Sequence, residues 1–367
     1  MPDVLENQKM MYLRASPVPR ATESAQQIFQ GMYPGSKREW QRPVVITRGP
    51  NDESLYPNDV ACMRFRDLQR QYGVYLSAKW NESPEMALLQ EKIGKHMPDK
   101  VVKVDGHPRL SGVLDSVNST LAHGPKTRLP SDFYEPDVLE NLGKIVTNEW
   151  FQGYKDNREY RMVGVGGLAG DVVTRMVKHV EHNIKHGSGD IAAEGVKGQP
   201  GYIPRRKRPA IFGLSGTHDT ALGGLLASFG AFDEKWPPYT SHIAIELFKE
   251  KESLLESMSR KWWQSFPHFS SKPHQESIGR VPSDQINDAD FSRLDGYYVR
   301  LRYNDKPVTV AGCRLPGNHL EGDETFCTLK EFKRIADKFT PKNWKTACSQ
   351  NLNVKATGKE PEIAGYS

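Results

Sequence analysis

Apolar positions fall along this chain in three regimes. Met10-Met11-Tyr12-Leu13 is a short apolar run ending at Arg14 and predicts a buried strand. After Pro17 and Pro19, residues Ala21, Ala25, Ile28, Phe29 and Met32 recur at helical spacing, and Pro34-Gly35 ends that helix. Pro43-Val44-Val45-Ile46-Thr47 predicts a second short strand. From about residue 57 to 204 the chain is polar and charged with helical periodicity, in segments such as 61–72, 84–96, 137–154 and 170–186. Strand character returns at 210–214. A helix with Leu222, Leu225, Leu226 and Phe229 on one face follows, and then an alternating run over 243–248. The polar insertion 249–295 precedes Tyr297–Tyr303 and 308–311, which Asn304-Asp305-Lys306-Pro307 joins as a hairpin. A last helix covers Leu329–Phe339, before Pro341.

Strands alternating with helices at both ends of a helical middle predict an α/β core with an α-helical cap inserted into it. Residues 1–60 and 206–350 form that core, 61–205 the cap and 351–367 a polar tail. The Gly- and Pro-rich stretch 187–204 closes the cap.

Composition narrows the function classes. With 37% hydrophobic residues the chain can bury a sizeable core. Fifty basic against 45 acidic residues leave a net charge of +5, too small and too evenly spread to argue for nucleic acid. The run Arg205-Arg206-Lys207-Arg208 reads as a solvated loop before a strand, with a localisation signal as the alternative. No run approaches the ~20 apolar residues of a membrane span. Residues 1–10 lack the basic and apolar regions of a signal peptide, and neither compartment nor oligomeric state is legible. Cys62, Cys313, Cys327 and Cys348 are spaced too widely for a zinc ribbon; disulfides and buried thiols both fit. His179, His182 and His186 share a helix face but lack an acidic fourth ligand, so a solvated face is the simpler reading. Gly164, Gly166 and Ala169 superficially fit a dinucleotide turn, but no strand precedes them, and close packing of a cap helix explains them better. No specific argument attaches to Trp262-Trp263.

Chemistry concentrates in Leu214-Ser215-Gly216-Thr217-His218-Asp219-Thr220-Ala221, where a buried strand runs into an amphipathic helix. Ligands of open α/β sheets sit at the carboxyl ends of strands. A helix N-terminus there offers unpaired N–H groups and positive potential to an anion such as phosphate. His218 can donate to a phosphate oxygen, and Asp219 can protonate a leaving alkoxide. Standing alone, Asp219 reads more simply as a helix cap. Arg14 changes that balance, since it too ends a strand before a turn and helix, placed to clamp phosphate bidentately. Its structural alternative is an ion pair. Arg20 sits at a helix start, where a cation is unfavourable, so it answers a carboxylate or a ligand anion.

The segment Leu13-Arg14-Ala15-Ser16-Pro17-Val18-Pro19-Arg20-Ala21-Thr22-Glu23-Ser24 resembles the histidine acid phosphatase pattern of arginine, turn, second arginine and nearby serine. Gly216-Thr217-His218-Asp219-Thr220 resembles the late His-Asp motif of that family. The stretch 236–247, beginning Trp236-Pro237-Pro238-Tyr239, and Tyr297–Tyr303 are similar to its following loop and strands. Cys313, Cys327 and the helix after them look like the acid phosphatase and lysophosphatidic acid phosphatase side of the family. The likeness covers roughly half of the chain closely, with the cap only loosely similar.

This resemblance implies a phosphoglycerate mutase-like α/β sandwich core and hydrolysis of small phosphate monoesters at acidic pH, without a metal or other cofactor. In the family, an Arg-His-Gly-x-Arg motif on the first strand supplies a nucleophilic histidine. The residues matching Arg14 and His218 complete the phosphate pocket, with Arg20 supporting. The residue matching Asp219 is the general acid, which afterwards assists water in hydrolysing the phosphohistidine. No Arg-His-Gly occurs in the sequence. The resemblance therefore implies that the nucleophile and the central strand bearing it are missing, and that the chain as written is inactive. A truncated start and a nucleophile-free paralogue both account for this. A non-catalytic relic binding phosphorylated ligands is the alternative function, and a phytase-like inositol phosphate hydrolase the second.

Overall fold

The structure, a computed structural model, describes residues 3–5, 10–38, 43–186, 209–251 and 277–367. The stretch 187–204, the basic run 205–208 and Trp262-Trp263 lie outside the described residues.

Strands β1 (Met11–Ala15) and β2 (Phe212–Gly216) pair in parallel, from Met11↔Phe212 to Ala15↔Gly216. A parallel pair needs a long crossover, and the whole helical middle lies between these two strands in the chain. Pairing with β1 moves β2 two residues beyond the apolar run 210–214 and takes in Ser215 and Gly216. On the other side of β1, among the described residues, only Ile46 joins the ladder. Its N–H donates to the Leu13 carbonyl at 2.9 Å, and its carbonyl accepts from the Ala15 N–H at 3.0 Å. The strand expected over 43–47 thus reduces to a single bridge. Val44 and Ile46 are exposed.

The second sheet is antiparallel, in the order β3 (Ile243–Lys249), β4 (Tyr297–Tyr303), β7 (Asp323–Thr328), β6 (His319–Leu320), with β5 (Lys306–Val308) also on β4. The hairpin from β4 to β5 turns on Asn304 and Asp305, at φ 47° and 65°, the left-handed pair of a two-residue turn. Among the described residues, β2 pairs only with β1 and β3 only with β4.

Helix α1 (Pro19–Met32) packs on β1 and β2. The helical middle comprises α2 (Met63–Trp80), α3 (Pro84–Ile93), α4 (Leu110–His123), α5 (Pro136–Asp156), α6 (Arg158–Gly164) and α7 (Gly166–His186). Then follow α8 (Asp219–Ser228), the one-turn α9 (Asp288–Phe291), α10 (Leu329–Phe339) and α11 (Trp344–Ser349). The helical middle shares one core with α8, α10 and β4, in which Phe65, Phe151, Phe229, Val299 and Phe332 are all buried. A separate small core of Leu5, Met11, Leu13, Phe29 and Tyr33 lies between α1 and β1.

A helix, not a strand, precedes Gly164 and Gly166, and a Cβ on Gly166 would stand 2.0 Å from the Phe339 carbonyl oxygen. Close packing is what these glycines serve. The face carrying His179 is less solvated than expected: His179 is half-buried, and burial lowers its pKa. All four cysteines are paired, Cys62 with Cys348 and Cys313 with Cys327. Among the described residues no helix is long and apolar enough to cross a membrane, and no cluster of three or more His, Cys, Asp or Glu side chains stands ready for a metal.

Candidate active site

The carboxyl ends of β1 and β2 lie side by side, and the chain leaves both toward a helix. From β2 the turn Thr217-His218 leads into α8, with His218 extended at the cap position and Asp219 in the first turn. From β1, Ser16 continues the pairing, its N–H donating to the Gly216 carbonyl at 3.1 Å. Gly216 makes this junction possible: a Cβ there would lie 2.2 Å from the Ala21 carbonyl oxygen of α1. The first turn of α1, with Arg20, is thereby brought against the His218 turn.

Three groups converge on His218. The hydroxyl of Ser16, fully buried, lies 2.8 Å from Nε2. Tyr56 stands edge-on to the imidazole, ring centroids 5.7 Å apart. Burial lowers the His218 pKa, and the nearby Arg20 guanidinium lowers it further, against smaller opposing effects of Asp219 and Glu53. Arg20 is exposed and makes no ion pair with a described residue. Of the two partners expected for it, no carboxylate is found among the described residues. Asp219 is exposed; Oδ1 accepts from the Thr220 N–H at 2.8 Å and Oδ2 from Trp236 Nε1 at 3.1 Å.

Arg14 has a different environment. It is 2% exposed, and its Nη2 donates to Glu53 Oε1 and, at 3.2 Å, to Ser54 Oγ. Its Nη1 stands 3.7 Å from Asp171 Oδ2. This is the ion-pair alternative named for Arg14, although Nε is left without a partner. Glu53 Oε1 also accepts the N–H groups of Ser54 and Leu55, both at 2.7 Å. Asp171 in turn pairs with Arg48 at 3.0 Å and with Arg280. Three arginines thus meet two carboxylates beside the His218 turn, leaving net positive charge there.

Sequence reasoning selected Arg14, Arg20, His218 and Asp219, and the structure gathers all four around the ends of β1 and β2. It missed Ser16, Glu53, Tyr56, Asp171 and Trp236. Ser16 and Trp236 lay inside the quoted motifs, two residues past Arg14 and at the head of the Trp-Pro-Pro-Tyr loop. Nothing in the spacing of Glu53 or Asp171 marks either one, since only folding brings them to Arg14.

The chain is similar to several proteins named as phosphatases. A probable acid phosphatase of Schizosaccharomyces pombe is 32% identical over 352 residues, covering 95% of this chain and 70% of its own length. A probable acid phosphatase of Dictyostelium discoideum is 21% identical, with 92% of this chain and 63% of that protein covered. The mouse (Mus musculus) lysophosphatidic acid phosphatase type 6 is 22% identical, with 95% and 64% covered. The chain therefore spans under two thirds of the length of the last two. The family model of the histidine phosphatase superfamily (branch 2) matches residues 2–304, and the chain belongs to that family.

Proposed function

We propose that residues 1–367 carry the phosphate-holding and proton-donating part of an acid phosphatase site that hydrolyses phosphate monoesters through a phosphohistidine. The observation that carries this reading is the pairing of β1 with β2. It sets Arg20 and Ser16 against His218, at the start of the helix whose first turn bears Asp219. His218 and Arg20 hold phosphate oxygens, helped by the positive potential at the start of α8. The Asp219 carboxyl gives its proton to the departing alcohol oxygen as a histidine nitrogen bonds to phosphorus. The resulting carboxylate then takes a proton from the water that releases phosphate. Arg14, held by Glu53, supports the pocket by its charge and by fixing the segment that carries Tyr56.

In this reading the nucleophilic histidine is not among residues 1–367, none of which forms an Arg-His-Gly. The edge of β2 left unpaired among the described residues, where Gly213 and Ser215 are exposed, favours one further strand there, in a phosphoglycerate mutase-like core with residues 61–205 as its cap. The same sequence observation favours a second reading, a protein that binds phosphorylated ligands without turnover.

The test is calorimetric titration of inorganic phosphate into residues 1–367, with p-nitrophenyl phosphate turnover at pH 5 beside it. Phosphate binding that weakens about tenfold or more in His218→Ala and in Arg20→Ala, with no sustained release of nitrophenol, is expected. Sustained release would remove the missing-nucleophile assignment, and phosphate binding indifferent to both variants would remove the pocket.

A further inference from the structure

Beside the start of α8 the fold encloses a cavity of about 100 Å³. Trp150, Phe151 and Tyr154 of α5 and Tyr160 of α6 line it with aromatic rings, Thr220 of α8 closes one side, and Asp59 stands at another. The cavity adjoins the candidate site from two directions. Thr220 follows Asp219, and Trp236, which bonds Asp219, packs edge-on against Trp150 at 5.8 Å and at a tilt against Phe151 at 5.4 Å. On the other flank is Tyr56, which stands on the His218 ring and whose ionisation the Asp59 charge opposes, as it opposes that of Tyr160.

Asp59 is the unusual member. It is half-buried and makes no hydrogen bond or ion pair with a described residue. A carboxylate partly withdrawn from water and left unpaired is costly unless a cation answers it. The surrounding rings present negative faces, and aromatic walls closing on a compact space are the chemistry that recognises organic ammonium ions. A neutral apolar group would fill the space and leave the carboxylate unanswered, and an anion would be repelled. Beyond Tyr56 and Asp219 the charge reverses, with the Arg20 guanidinium beside the His218 ring at the seat proposed for phosphate.

We propose that this cavity is the leaving-group subsite and that it takes the ammonium end of an amino-alcohol phosphate monoester, with Asp59 and the ring of Trp150 as its specificity-determining groups. The proposal rests on the phosphatase reading for the identity of the other end.

The experiment titrates residues 1–367 calorimetrically with choline, with its uncharged isostere 3,3-dimethylbutan-1-ol, with inorganic phosphate and with O-phosphocholine. Saturable choline binding is expected, at least tenfold tighter than the isostere, with O-phosphocholine tighter than choline or phosphate. Asp59→Asn and, independently, Trp150→Leu are each expected to weaken choline at least tenfold while leaving inorganic phosphate unchanged. Equal binding of choline and the isostere, or choline binding indifferent to both variants, would overturn the cation subsite. Phosphate binding without Asp59-dependent choline binding would overturn the cavity and leave the phosphatase reading standing. Asp59-dependent choline binding without phosphate binding would do the reverse, overturning the amino-alcohol phosphate as ligand and the phosphatase reading with it.

Discussion

Removing the bond between Cys62 and Cys348 is expected to cost the fold more than removing that between Cys313 and Cys327. The partners are 286 residues apart in the first case and 14 in the second. A cross-link restricts the unfolded chain in proportion to the logarithm of the loop it closes, which gives about 5–6 kcal/mol for the long loop and about 3 kcal/mol for the short one. All four sulfurs are buried, Cys62 and Cys313 completely, so alanine replacements remove similar apolar surface and leave loop length as the main difference. Against a total stability of ~5–15 kcal/mol, the larger loss is comparable to the whole margin. Urea unfolding of the two double variants, Cys62→Ala with Cys348→Ala and Cys313→Ala with Cys327→Ala, followed by far-ultraviolet circular dichroism, measures both. The first pair is expected to be less stable than the second by about 2–3 kcal/mol. Equal losses, a reversed order, or four titratable thiols in the denatured but unreduced protein would refute the reasoning.

Three further outcomes follow from the site. Because burial and Arg20 lower the His218 pKa, the unfolded chain takes up its proton first, and this residue's share of stability is lost as pH falls below about 6.5. A nuclear magnetic resonance titration should place the His218 midpoint below 6.5 and move it upward in Arg20→Ala; a midpoint at or above 6.5 contradicts this. Ser16→Ala leaves a part-buried imidazole nitrogen without its partner and should cost about 1–3 kcal/mol by thermal melt, together with weaker phosphate binding; an unchanged melt counts against the bond. Glu53→Ala strands the buried Arg14 guanidinium and should cost about 3–5 kcal/mol, less when Arg14→Ala is added; strictly additive losses in denaturant titration would show that the two do not act as a pair.

What was readable in the sequence was whatever local periodicity encodes. The helix Leu329–Phe339 and the strand Tyr297–Tyr303 fall where the apolar spacing puts them, because each buries one continuous face. The run 43–47 has the same apolar character, but among the described residues it contributes only the Ile46 bridge, and Val44 and Ile46 are exposed where a core strand would bury them. The start of β2 was misplaced by two residues because its register is set by β1, far away in the chain. The short strands β6 and β7 carry no apolar alternation, and the sequence reading passed over them. At the site, His218 and Asp219 were legible from the strand-to-helix turn. Arg14 was legible as a residue but not in its partner, since Glu53 reaches it only through the loop that Ile46 pins beside β1.

The separation of the two cores bears on how the molecule opens. Arg14, Ser16, Arg20 and the strand leading to His218 ride on the unit whose own core is Leu5, Met11, Leu13, Phe29 and Tyr33, while Asp219 begins the helix that runs into the large one. Units with few buried contacts exchange their amide protons through local opening, at a fraction of the global unfolding energy. Amides of β1 and α1 should therefore exchange ahead of those in α5 and α10. An anion seated between Arg20 and His218 would slow them selectively, since a ligand that binds only the closed form stabilises that form by mass action. The grip on phosphate and the firmness of this corner of the fold are then one equilibrium, readable residue by residue in deuterium uptake.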